Sequence, residues 1–277
     1  MMSKVLLILS ILLISNEALA QDYLRLQIPV NNGELKILSD LGVAVDHGIY
    51  KEEKFFISDF SSAEKAIMDQ QGIAYEILIA DIEQYYETIL NQEEKPQETN
   101  EKNSSCGSTT NSNPLANPAA PTHFNLGTMG GYLKYEELLA ELDEMAALYP
   151  NLITVKAPIS NFLTYENRPI YHVRISDNPN LDEAGEPKVL YTAIHHAREP
   201  MSLMETVFFM WYVLENYQSN PEIQYIVDHL QLYFVPCINP DGYVYNQTTN
   251  PNGGGMWRKN RRLNSGGSYG VDLNRNY

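Results

Sequence analysis

The stretch that most constrains this chain is an apolar run, 188–193, that breaks into His195-His196-Ala197-Arg198-Glu199-Pro200. The run is the length of a buried strand, and the proline opens a long apolar segment that reads as a helix. The polar cluster is thus confined to a strand-to-helix turn. Within it only His196 stands three residues before a carboxylate, Glu199; His195 steps to Arg198, which cannot ligate. Neutral imidazole and carboxylate are ordinary zinc ligands, and a catalytic zinc usually takes three protein ligands and leaves one position for water. Alone, a His-x-x-Glu pair is weak evidence, because a buried histidine beside a glutamate is commonly just a hydrogen-bonded couple.

Downstream come Asn239-Pro240-Asp241-Gly242-Tyr243, Trp257-Arg258-Lys259-Asn260-Arg261, and Gly270-Val271-Asp272-Leu273-Asn274-Arg275-Asn276-Tyr277. On its own the first is an ordinary turn signal. Together, and in this order after the His-Glu pair, these motifs resemble the zinc carboxypeptidases of the pancreatic A and B type. The resemblance implies an α/β catalytic domain with a mixed sheet, incomplete in this sequence, preceded by a small ferredoxin-like α+β prosegment.

The chain opens with Lys4, an apolar segment 5–14 and Ala18-Leu19-Ala20, the layout of a secretory signal removed after residue 20. Its apolar core is well short of the roughly 20 residues needed to span a bilayer. No later segment is long and apolar enough to do so, so no membrane partner is expected after cleavage, and the product is expected outside the cell or in the periplasm. A net charge of −16 argues against nucleic acid, since nothing here resembles a basic stripe.

Residues 21–92 are expected to form a unit of their own. Strands are expected at 23–29, 43–50, 54–58 and 73–79, with helices at 31–40 and from Ser61 to about 71; Ser61-Ser62-Ala63-Glu64 has the form of a capping box and Gly72 that of a stop. The order strand-helix-strand-strand-helix-strand is that of a ferredoxin-like unit, and a further helix is expected at 81–90. Between 21 and 100 there are 6 lysines and arginines against 16 aspartates and glutamates, more than half of the chain's charge excess. Such an acidic unit is either an independent binding module or a prosegment that covers an arginine-lined cleft; the resemblance favours the second.

Residues 93–122 are polar, nearly free of large apolar side chains, and read as a linker exposed to an activating protease. Asn103-Ser104-Ser105 and Asn246-Gln247-Thr248 match the N-glycosylation pattern. The chain has two cysteines, so no disulfide framework is expected; Cys237 lies in an apolar strand and reads as a buried thiol. Residues 123–277 then read as a helix at 135–149, strands at 152–157, 169–176, 188–193 and 232–236, and helices at 201–217 and 221–230. Sites in such layered α/β domains collect at the carboxyl ends of strands.

The resemblance assigns roles residue by residue. His196 and Glu199 match two zinc ligands, Arg258 an arginine that stabilises the oxyanion, Asn274 and Arg275 the pair that holds a substrate's terminal carboxylate, and Arg198 an outer substrate contact. The expected substrate is a peptide or protein with a free C-terminal carboxylate. Asp272 reads as a supporting carboxylate, while His47, His123, His172 and His229 match no site. In the family the third ligand, a histidine, and the general base, a glutamate, lie beyond the equivalent of Tyr277. The 277 residues alone are therefore expected to be inactive and to expose an apolar sheet edge. A zinc deacylase, a peptidoglycan peptidase and a non-catalytic carboxylate-binding relic are the alternatives.

Overall fold

The computed structural model describes residues 22–30, 33–93, 119–265 and 267–275. The signal-like segment, Cys106, the Asn103 triplet and most of the linker lie outside the described residues.

The amino-terminal unit is built on β1 (Tyr23–Pro29), whose alternation buries Leu26 and Ile28 and whose first residue, Tyr23, is also buried. Around it lie α1 (Glu34–Asp40), β2 (Ile49–Lys51), β3 (Phe55–Ser61), α2 (Ser62–Gln71), β4 (Glu76–Ile79) and α3 (Ile82–Glu93). The strands form one antiparallel sheet in the order β2-β3-β1-β4, the split-βαβ connectivity. Leu38 of α1 and Met68 of α2 close a core over Leu26, Ile28, Phe56 and Phe60. The capping box forms as expected: the Ser61 hydroxyl accepts from Glu64 N at 3.2 Å, and Ser61 N donates to the Glu64 carboxylate at 2.9 Å. Gly72 ends α2 in the left-handed conformation.

Two strand expectations here were too long. Residues 43–48 are a loop, and pairing begins only at Ile49. Asp46-His47-Gly48 turns the chain, and a Cβ at Gly48 would stand 2.2 Å from Ile57 O and 2.8 Å from the Phe56 ring, so only glycine lets this loop press against β3. Likewise, 73–75 precede β4 without joining the ladder.

The second unit contains α4 (Tyr135–Leu148), β5 (Ala157–Pro158), β6 (Tyr171–Ile175), β7 (Lys188–Thr192), α5 (Pro200–Asn216), α6 (Pro221–His229), β8 (Gln231–Val235), α7 (Pro240–Thr249) and a 3₁₀ turn at Leu273–Arg275. Its sheet runs β5-β6-β8-β7, with β6 antiparallel and β7 parallel to β8. It is a mixed sheet in an α/β layer. Of the expected 152–157 strand only Ala157 falls in β5; Ile153 adds an isolated bridge to Ile175. β7 is the last strand on its side among the described residues, and Leu190 there is 65% exposed.

Helix α4 buries Leu138, Leu142 and Met145 against α5, which contributes Leu203, Val207, Met210, Trp211 and Leu214 to the core. Cys237 is buried just beyond β8, and burial pushes its thiol well above the ordinary range. Helix α7 was not expected: Asn239-Pro240-Asp241-Gly242 is a helix start rather than a turn. Asn239 caps it by accepting from Gly242 N at 3.0 Å, and Pro240 takes the first position, where its missing N–H costs nothing.

The start of this unit is fixed by one carboxylate. Glu215 accepts from Thr122 N at 2.7 Å, from His123 N at 2.9 Å and from the His123 ring at 2.9 Å. Burial alone would raise the Glu215 carboxyl, but these donors outweigh it and hold it below the usual range. A depressed carboxyl stabilises the fold above its unfolded value, and that stabilisation is lost as the pH falls. Glu215→Gln is expected to lower stability at pH 7 by roughly 1.5–3 kcal/mol, the scale of hydrogen bonds to a charged group. Melting curves from pH 7 downward check it: the gap to wild type should narrow below about pH 4.3, the ordinary glutamate value.

Candidate active site

The site begins where β7 ends. Ile194 is in the left-handed region, φ 52°, unusual for a β-branched residue and a mark of a locally forced backbone. Four contacts hold the turn: Ala193 N donates to Val235 O at 3.2 Å, Ile194 N to Ser202 Oγ at 3.2 Å, Ile238 N to Ala193 O and Asn239 N to Ile194 O, both at 3.0 Å. The turn drives His196 inward, where it is 2% exposed, and leaves Glu199 at the amino end of α5.

His196 Nδ1 lies 2.9 Å from Glu199 Oε1. On the other side of the ring, Nε2 lies 3.2 Å from Asp272 Oδ1 and 2.9 Å from Arg258 Nη2. Arg258, 5% exposed, also reaches Asp272 Oδ2 at 3.1 Å, and its Nε is buried without a partner among the described residues. Burial would raise the Glu199 carboxyl, but His196 first, then His47 and Arg258, hold it below its ordinary value. Burial, then His196, lowers the pKa of His195 next to it.

The Asn239-Pro240-Asp241-Gly242 segment is the frame. Asn239 Nδ2 donates to His195 O at 3.3 Å and to Arg258 O at 3.4 Å, and Ala197 N donates to Arg258 O at 2.9 Å, tying the two halves of the site together. A Cβ on Gly242 would stand 2.5 Å from Lys259 O and 2.9 Å from Ala197 Cβ. Asp241, 2% exposed, accepts from Thr164 Oγ1 at 2.7 Å, Glu166 N at 3.0 Å and Arg168 Nη1 at 2.9 Å, which anchors the 164–168 loop.

The amino-terminal unit reaches into the same place. Asp46 accepts from Arg258 Nη1 at 3.3 Å and Nη2 at 3.0 Å, and it also pairs with Arg275. His47 stands edge-on to His196, ring centroids 4.9 Å apart, with Nε2 3.9 Å from Glu199 Oε1. His47, expected to match none of the family's sites, is thus placed beside His196 and Glu199. It comes in from a loop roughly 150 residues away in sequence, so no local spacing could announce it. Burial, then Arg258, lowers the His47 pKa and favours the neutral ring.

The other expected residues are placed less centrally. Arg198 lines two clefts between the units, one of about 530 Å³ that His47 and Glu199 also line and one of about 890 Å³ that Arg258 also lines. Asn274 is exposed, and it is its backbone N–H, not its side chain, that bonds Asp272, at 2.9 Å. Arg275 is 46% exposed. One ligand atom each from His47, His196 and Glu199 lies within 4.8 Å of the others. A set of two imidazoles and a carboxylate fits zinc.

Comparison with known proteins supplies the family. The zinc carboxypeptidase (peptidase M14) family model matches residues 138–277. A zinc carboxypeptidase of Saccharothrix mutabilis subsp. capreolus is 35% identical over 147 residues, 53% of this chain and 32% of that protein. Carboxypeptidase A2 of Rattus norvegicus is 30% identical over 216 residues, 78% of this chain and 44% of its own length, so the chain spans less than half of these relatives. Among solved structures, carboxypeptidase A from Helicoverpa armigera superposes with a TM-score of 0.61 at 21% identity, covering 94% of this chain and 58% of that one, and shares the fold. With a family match over half its length and the family's motifs gathered round one buried histidine, the chain belongs to the zinc carboxypeptidase family.

Proposed function

We propose that the protein is a secreted metallocarboxypeptidase, made as a proenzyme, that removes the C-terminal residue of peptides or proteins. The observation that carries this reading is Asp46. A carboxylate from the amino-terminal unit pairs with both Arg258 and Arg275, and so occupies the cations that would stabilise the oxyanion and hold a substrate's terminal carboxylate. The acidic unit thus acts as a prosegment over residues 21–92, and a protease cutting within 93–122 would free the arginines. The signal-like first 20 residues support secretion, and no helix among the described residues is long and apolar enough to cross a membrane.

His196 and Glu199 would hold zinc, which when bound polarises a scissile carbonyl and lowers the pKa of a coordinated water. Around it the chain's own residues have distinct tasks. With zinc bound, Asp272 would accept from His196 Nε2–H and so fix Nδ1 as the nitrogen that holds the metal. Arg258, released from Asp46, presents Nη1 and Nη2 to the oxygen on which negative charge develops. Arg275 and Asn274 bind the terminal carboxylate, and Arg198 contacts the substrate farther out. The third ligand and general base that the family uses are not among these residues.

The test uses protein expressed from its whole coding region, intact or cut within 93–122. The cut protein should release the C-terminal residue of a peptide with a free carboxylate, and chelator should stop it. The intact protein and an amidated peptide should both be inert. Equal release from the amidated peptide would exclude carboxylate recognition, and indifference to chelator would exclude zinc.

A further inference from the structure

We propose that His47 is a metal-directed latch: its imidazole supplies the amino-terminal unit's own ligand to the cation held by His196 and Glu199, so that the metal ties the two units together. The proposal rests on the metal reading above and adds a donor to it.

The case is made by what stands behind each ring. His47 Nδ1 lies 2.6 Å from Asp46 Oδ2. Arg258 Nη2 is 3.2 Å from the same nitrogen, but a nitrogen that donates to Asp46 cannot also accept from Arg258, and the shorter contact to the carboxylate places the proton on Nδ1. Nε2 is then bare, and it is the atom turned to Glu199 Oε1 at 3.9 Å. His196 has Asp272 at 3.2 Å and Arg258 Nη2 at 2.9 Å on Nε2, and Glu199 beside Nδ1. If Nε2 takes the bond from Arg258, Nδ1–H donates to Glu199; a cation between Nδ1 and Glu199 selects the state in which Nε2–H donates to Asp272. Each imidazole therefore has an aspartate on its far nitrogen, the arrangement by which outer carboxylates orient metal-binding histidines. The near atoms, one from each of His47, His196 and Glu199, fall within 4.8 Å. The loop that carries His47 is set by the close approach of Gly48 to β3.

A solvated histidine pairing with its own neighbour Asp46 would explain the 2.6 Å contact alone. It would not explain why the opposite nitrogen meets a carboxylate from the other unit, nor why the ring packs edge-on to the buried His196.

The experiment strips the 277-residue chain of metal and titrates it with Zn²⁺ against a chromophoric chelator, and in parallel with Co²⁺ followed by its visible absorption. His47→Ala should weaken zinc binding by at least about tenfold, the lower end of what losing even a ligand's supporting partner costs, and should change the Co²⁺ spectrum. After a cut within 93–122, the wild-type halves should co-elute with zinc and separate with chelator, while the His47→Ala halves should show no such dependence. The side chain of His47 is 41% exposed, so the substitution leaves the fold intact. If His47→Ala binds as wild type while His196→Ala does not, the latch is overturned and the metal reading stands. If His196→Ala also binds as wild type, both are overturned.

Discussion

Trp211→Ala is expected to lower the stability of the second unit by about 3–5 kcal/mol, the range for deleting a buried aromatic side chain. Trp211 is fully buried on α5, stacked on His123 at 5.1 Å and edge-on to Tyr149 at 6.3 Å. Its indole N–H donates to Glu141 Oε2 at 2.6 Å, so truncation opens a void and also strands a carboxylate on α4. Burial already raises the Glu141 carboxyl, with the indole the main counterweight. The denaturant midpoint should fall steeply while the slope stays constant, as it does when stability changes and compactness does not. Trp211→Phe, which keeps most of the packing and loses the donor, should fall between. A loss below 1 kcal/mol for alanine would mean that the α4–α5 seam is not the core of this unit.

Arg258→Ala, measured on cut protein from the whole coding region, is expected to lower kcat by about 10²–10³-fold, or roughly 2.7–4 kcal/mol, with little change in KM. A donor aimed at developing charge acts in the transition state and not in ground-state binding, so the loss belongs in kcat. Arg258→Lys keeps a charge but not the planar pair of donors and should recover only part of the rate. Metal content serves as the control, because Arg258 also touches Asp272 behind His196. An unchanged kcat at full metal content would remove Arg258 from the reacting centre.

Much of this architecture could be read in the residues because its causes are local. The stripe Leu138, Leu142, Met145 is a helix face, Ser61 with Glu64 is a capping box, and the step from His196 to Glu199 puts two donors on one turn. Helix α7 escaped because asparagine and proline before glycine serve a turn and a helix start equally well; only the tertiary bonds of Asn239 decide between them. The 152–157 strand was overstated because only Ile153 of its apolar residues is buried, Val155 is exposed, and the segment meets β6 through scattered bonds rather than a continuous ladder. Asp46 and His47 were illegible for a different reason. Their partners, Arg258 and His196, lie on another unit, and the contact depends on how two separately folded surfaces meet.

The rim of the second sheet has a consequence for the chain in solution. β7 offers one side to β8 and, among the described residues, no strand to the other, so a row of N–H and C=O groups faces outward beside the exposed Leu190. Such a rim is a template for intermolecular pairing, on which one copy can be added to the next at about 4.8 Å spacing. Lys188, the one charge on this strand, flanks it at its first position on the same face as Leu190, and its ammonium is paired with Asp182 at 2.7 Å. Unless another strand occupies that rim, concentration rather than temperature will set the limit on keeping this polypeptide monomeric.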